Sequence, residues 1–196
     1  MTNIEISEDS KEESAEKHQK MSSEFQKDQH DDRIIIYTDG SKSETNQIGA
    51  GLVYTTNFSC YQWKAWNLGS KCEVFDAELF AIKKAIDFAY EKTDIWTREI
   101  WIFSDSQAAL KRLKSREVRA GQYYTNQARA GIEKLRQKND QMQINLQWVP
   151  GHMNIYGNEK ADEKVKLGLK LRTVHHEAIT SLNFLKRKVQ EYYLNN

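Results

Sequence analysis

Proline is almost absent from this chain, with Pro150 alone among 196 residues. Glycine occurs nine times and cysteine twice. So little proline and glycine excludes a low-complexity chain and leaves loops that are short or polar. Cys60 and Cys72 fit neither a metal-ligand spacing nor a disulfide framework, so reduced structural thiols are expected, as in the nucleus or cytoplasm. No hydrophobic run approaches membrane-spanning length, and the N-terminus is too polar for a secretory signal. Neither a membrane partner nor secretion is expected. No charge is in excess either, with 29 Lys and Arg against 28 Asp and Glu.

What is present builds a globule. Hydrophobic residues make up 39%, including five tryptophans and seven phenylalanines, enough for one packed domain with tails. The charge is unevenly placed. Residues 1–32 carry ten acids and four lysines, a balance of −6, which leaves +7 for the rest. A basic body suits a polyanionic partner, and it equally suits an ordinary solvated surface. The first 32 residues hold few apolar side chains and are expected to be an acidic disordered tail.

From Arg33 the periodicity becomes informative. Ile34-Ile35-Ile36-Tyr37-Thr38-Asp39 reads as a buried central strand ending in a carboxylate, although Asp39-Gly40 also reads as a hairpin turn. Ile48–Tyr54 and Phe58–Leu68 give two more strands, joined by a short turn at Thr56-Asn57, so the first three strands form an antiparallel meander. Glu73–Glu91 has helical spacing at Phe75, Leu79, Ile82, Ile86 and Ala89. A strand at Ile100–Phe103, helices at Gln107–Leu113 and Gln122–Lys138, a strand at Met142–Val149 and a helix from Asn158 complete residues 33–170. The order βββαβααβα predicts an α/β fold with a five-stranded mixed sheet and helices on both faces. Such sheets carry sites at the carboxyl ends of their strands. Residues 171–196 form a basic amphipathic C-terminal helix around Leu182, Leu185 and Val189, most simply a cap on the same domain.

Four acids hold suggestive positions. Asp39 and Asp105 end strands, Glu78 borders the buried face of the first helix, and Asp162 follows His152 by ten residues. Each has a plain alternative. Asp105 could cap a helix, Asp162 could pair with Lys166 at i+4, Glu78 could be a boundary ion pair, and His152 could be an exposed loop residue. Together they could hold two hard divalent cations about 4 Å apart for an in-line phosphoryl displacement, with an imidazole moving a proton. No Ser-His-Asp order, reactive-cysteine motif or phosphate-cradling glycine loop competes.

Five motifs in order carry a resemblance: Thr38-Asp39-Gly40-Ser41, Phe75-Asp76-Ala77-Glu78-Leu79, Phe103-Ser104-Asp105-Ser106, Trp148-Val149-Pro150-Gly151-His152, and Gly157-Asn158-Glu159-Lys160-Ala161-Asp162. Over Arg33–Leu169 the chain resembles a type 1 ribonuclease H domain, closest in look to those of non-LTR retrotransposon polyproteins. The resemblance implies an endonuclease that hydrolyses the RNA strand of RNA–DNA hybrids, leaving a 5′-phosphate and 3′-hydroxyl. It implies Asp39, Glu78, Asp105 and Asp162 as ligands of two Mg²⁺, with Mn²⁺ as a substitute, and His152 as a proton-transfer group. Asn158 would meet phosphate at a helix N-terminus, and backbone amides near Gly40 and Ser41 would contact substrate. The chain would act as a monomer or as part of a larger reverse-transcriptase polyprotein. Two departures stand out. Val74-Phe75 replace the polar pair that reads the hybrid in cellular members, and only Lys111, Arg112, Lys114, Arg116 and Arg119 offer a basic surface before the Gln122 helix. The rival readings are a non-catalytic hybrid- or partner-binding module on the same fold, and a related nuclease acting on DNA.

Overall fold

The computed structural model describes residues 2–28, 32–56, 58 and 60–194. The chain runs β1 (Thr2–Glu5), α1 (Lys11–Lys27), β2 (Arg33–Lys42), β3 (Ile48–Thr55), β4 (Gln62–Gly69) and α2 (Val74–Lys92). It continues through β5 (Glu99–Ser104), α3 (Gln107–Lys114), α4 (Gln122–Lys138), β6 (Gln143–Trp148), α5 (Tyr156–Gly168) and α6 (Leu182–Leu194). One mixed sheet has the order β1-β6-β5-β2-β3-β4. Pairings β2–β3 and β3–β4 are antiparallel, whereas β2–β5, β5–β6 and β1–β6 are parallel.

Side-chain alternation splits the core between the two faces of this sheet. Ile34, Ile36, Ile100, Ile102, Ile144 and Leu146 meet Leu79, Phe80, Ile82 and Ile86 of α2, with α3 and α4 behind. Ile35, Tyr37, Val53 and Phe103 point the other way, to Ala161 of α5 and Ala15 of α1. Helix α5 approaches β3 closely because Gly51 has no side chain; a Cβ there would lie 2.9 Å from Val165 Cγ2. The small residues of β3 thus set the distance between helix and sheet.

The sheet has six strands, not five. The segment expected to be disordered supplies β1, in register with Ile144–Gln147, and the capped helix α1. The physical reason is tertiary: Ile4 and Ile6 pack against the main core, and Ala15, Met21 and Phe25 against the second cluster. Ser10 and Glu13 close a reciprocal cap at the start of α1. Two further boundaries move. Strand β2 does not end at Asp39 but continues to Lys42, with Asp39 paired to Gly51, so Asp39-Gly40 makes no hairpin turn. The third expected strand begins at Gln62 rather than Phe58; of the turn proposed at Thr56-Asn57, Asn57 lies outside the described residues.

Beyond α5 the chain crosses the edge of β4, where Val174 bridges Asn67, and then follows α2 back toward its start. Glu177 pairs with Lys83 and Lys84 at 2.8 Å each, and the Ser181 amide donates to the Lys71 carbonyl. Helix α6 itself buries no residue and is tied down by Arg187, whose Nη1 lies 2.7 Å from Glu73 Oε1.

Candidate active site

Three elements converge on one point. Strand β2 brings Asp39, the end of β5 brings Asp105, and the second turn of α2 brings Glu78. One carboxylate oxygen from each lies within 4.8 Å of the others. Gly40 makes the approach of α2 to β2 possible, since a Cβ there would stand 2.6 Å from the Glu78 nitrogen. Its own N–H donates to Asp39 Oδ1 at 2.9 Å. Ser41, half-buried, follows in the ladder opposite Gly49.

Asp105 is held from two sides. The Trp148 indole N–H donates to its backbone carbonyl at 3.0 Å, and the Asn158 side chain hydrogen-bonds its carboxylate. Asn158 is 4% exposed. Its amide lies against the Asp105 carboxylate. Its Oδ1 is buried without a partner, and so is Glu78 Oε2.

The electrostatics follow from this crowding. Burial, then the charges of Asp105 and Asp162, push Asp39 up to about 8. Burial and the charges of Asp39 and Asp105 raise Glu78 well above the usual carboxylate range. Asp105 is raised too, by burial, against the opposing hydrogen bond from Asn158. Like charges brought out of water retain protons unless a cation balances them. An arrangement of this kind, with oxygen donors and an unpartnered buried carboxylate oxygen, fits a hard divalent ion.

Asp162 and His152 stand further out. Asp162 acts on Asp39 and Asp105 through its charge, but its Oδ2 is 2.6 Å from Lys166 Nζ, the i+4 pair anticipated as its plain alternative. His152 is exposed, in a loop where it has φ 60°, and its charge reaches Asp105. The loop twists left-handed again at Asn154, φ 57°, before α5 begins. The role of Trp148 went unread in the sequence although it stood in a quoted motif; a Trp that ends a strand beside the site is the signal. Phe75 packs against the core close to Gly121, so Val74-Phe75 contribute packing at the start of α2. Arg112 is 6% exposed and donates to the carbonyls of Ala120 and Ser115, which removes it from the basic surface.

Comparison with known proteins gives the same architecture. The sequence model of the family described as RNase H matches residues 31–170. The N-terminal RNase H domain of a Mycobacterium tuberculosis protein, solved as a fusion with maltose-binding protein, is 19% identical with a TM-score of 0.54, covering 70% of this chain and 96% of that one. RNase H1 from the halophilic archaeon Halobacterium salinarum is 21% identical with a TM-score of 0.53, covering 70% and 98%. No curated protein matches.

Proposed function

Because the chain belongs to the RNase H family, we propose that it hydrolyses the RNA strand of RNA–DNA hybrids, with Asp39, Glu78 and Asp105 as the ligands of Mg²⁺. The observation that carries this reading is the meeting of three carboxylates within 4.8 Å, two of them buried and the third half-buried, one with an unpartnered oxygen. A binding module would have no reason to keep so costly a cluster, because unpaired buried charge destabilises a fold. Two Mg²⁺ ions, with Mn²⁺ as a substitute, would supply Lewis-acid polarisation of the phosphoryl group and an activated water. Asp162 completes the ligand set by releasing Lys166.

The chain's own groups do the rest. Asp39 gives up its proton to hold a cation, so loading competes with protons up to about pH 8. Asn158 fixes the Asp105 carboxylate, and Gly40 N–H fixes that of Asp39. His152, exposed beside the cluster, moves a proton at the leaving oxygen, which yields the 3′-hydroxyl and 5′-phosphate. Backbone amides near Gly40 and Ser41 take the place of the missing polar pair in contacting the hybrid. The motif set and the basic segment after α5 support an origin in a retroelement polyprotein.

The test is cleavage of a labelled RNA–DNA hybrid with Mg²⁺, beside single-stranded RNA, duplex RNA and duplex DNA. Hybrid-only cutting, lost in EDTA and in Asp39→Asn, is expected. Hybrid binding without cutting under all metal conditions would replace this reading with that of a binding module.

A further inference from the structure

Helices α1 and α2 lie on opposite faces of the same strands and are seated in different ways. Helix α2 buries a continuous apolar face, including Leu79, Phe80, Ile82 and Ile86. Helix α1 buries Ser14, Ala15 and His18, with Met21 and Phe25 only partly covered. Its backbone stands further from the sheet than those of α2 and α5. The same sheet face combines an apolar cluster at Ile35, Tyr37 and Phe103 with polar positions on β6. Asn145 and Gln147 alternate with Ile144 and Leu146 and so face the α1 side. Asn145 Nδ2, Gln147 Oε1 and Ser14 Oγ are all buried without a partner. Unpaired buried polar groups give back much of what apolar contact contributes.

His18 is the centre of this seat. Its Nε2 lies 3.0 Å from the Tyr37 hydroxyl and its Nδ1 3.3 Å from Ser22 Oγ. Its ring meets the edge of Phe103 at 4.9 Å. The groups facing it are Tyr37 from β2, Phe103 from β5, Ser22 from α1, and, across a cleft of about 530 Å³, Tyr61 just ahead of β4 and Tyr156 at the start of α5. None is an acid. The ion pairs of α1 lie at its two ends, Lys17 with Asp9 at 2.6 Å near the start and Arg33 with Asp28 at 2.6 Å and Glu99 at 2.9 Å near the finish, and none reaches His18. A protonated His18 would have no anion to meet, and the cleft gives solvent a route to it.

We propose that α1 is a releasable strap, opening from the sheet while the rest of the fold stays closed, and that protonation of His18 drives the opening. Its consequence reaches the carboxylate cluster. Tyr37 and Phe103, the residues His18 touches, precede Asp39 and Asp105 by two positions on the same strand faces. Opening removes their backing.

The test is hydrogen exchange of the full chain followed by mass spectrometry between pH 7.5 and 5, corrected for intrinsic rates. No cleavage is read, so the result stands whatever the catalytic reading becomes. Burial holds the His18 imidazolium down to about 4 in the closed state against an ordinary 6.5, so the open fraction of residues 11–27 should rise on the order of thirtyfold at pH 5, with α2 unchanged. His18→Gln should abolish that step, and His18→Phe serves if the first variant does not fold. Exchange of residues 11–27 that tracks α2 at both pH values, or a step that survives both substitutions, would overturn the proposal.

Discussion

Asp39 and His18 occupy the same side of the sheet, separated by the ring of Tyr37, and burial moves them in opposite directions. Asp39 is pushed up to about 8 among other acids, whereas His18 is pushed down to about 4 with no acid in reach. Each is kept neutral by its surroundings, but the surroundings differ in what would relieve them. Around Asp39 stand further oxygen donors, Glu78 and Asp105, so a cation entering the group stabilises all of them at once. Around His18 stand a phenol, a hydroxyl and an aromatic edge, none of which carries a charge to balance an imidazolium. That group is relieved only by leaving. The same desolvation thus favours a cation in one place and, as proposed above, release of a helix in the other.

The sharpest way to break the comparison is Asp39→Asn. Cleavage should fall on the order of a thousandfold or more. In EDTA at pH 8 the variant should melt roughly 5 °C higher, because one member of the repelling group is gone. A lower melting point would make Asp39 a structural acid. For His152→Ala, turnover should slow about a hundredfold with melting unchanged; a wild-type rate at neutral pH would remove the imidazole from the chemistry. Asn158→Ala should weaken Mg²⁺ binding about tenfold, measured by calorimetry, since Asp105 loses its orienting amide. Unaltered binding would assign Asn158 to packing alone.

The smallest effect separates the two groups by pH. For Asp39 the folded value lies above the unfolded 3.8, so its contribution to metal-free stability is full below 3.8 and is lost progressively as pH rises from there through about 8. For His18 the folded value lies below the unfolded 6.5, so its contribution is full above 6.5 and is lost as pH falls toward about 4. Melting in EDTA should therefore stay nearly level between pH 4 and 6.5, where the two contributions oppose each other, and fall from pH 6.5 to about 8. Mg²⁺ should lift the alkaline side, and His18→Gln should lift the acid side by a few degrees. A metal effect on the acid side alone would contradict both assignments.

Much of this architecture was legible from residue pattern. The Ile34–Tyr37 run, the helical period of α2 and the limits of α4 describe local preferences that tertiary structure left in place. What was illegible depended on partners distant in sequence. Thr2–Glu5 has no strand pattern of its own; it becomes a strand because β6 offers an open edge and the main core has room for Ile4 and Ile6. Helix α1 shows only Ala15, Met21 and Phe25 on its inner face, with His18 filling the space an apolar residue would mark. Position along the chain made candidates of Asp39, Glu78 and Asp105, but their convergence depends on the parallel pairing of β2 with β5 and on the absence of a side chain at Gly40. The amide of Asn158 turned inward for a reason a linear motif does not contain, namely the carboxylate lying beneath it.

Strand β1 has a further consequence, for solubility. Without it β6 would be the sheet's outermost strand, six residues of unpaired backbone bordering Ile144, Leu146 and Trp148. Such an edge is a template for another chain. With β1 in place the border is four residues long, and its outer positions Asn3 and Glu5 are exposed and polar. The segment that reads as the most dispensable part of the chain is the one that covers the backbone edge of β6.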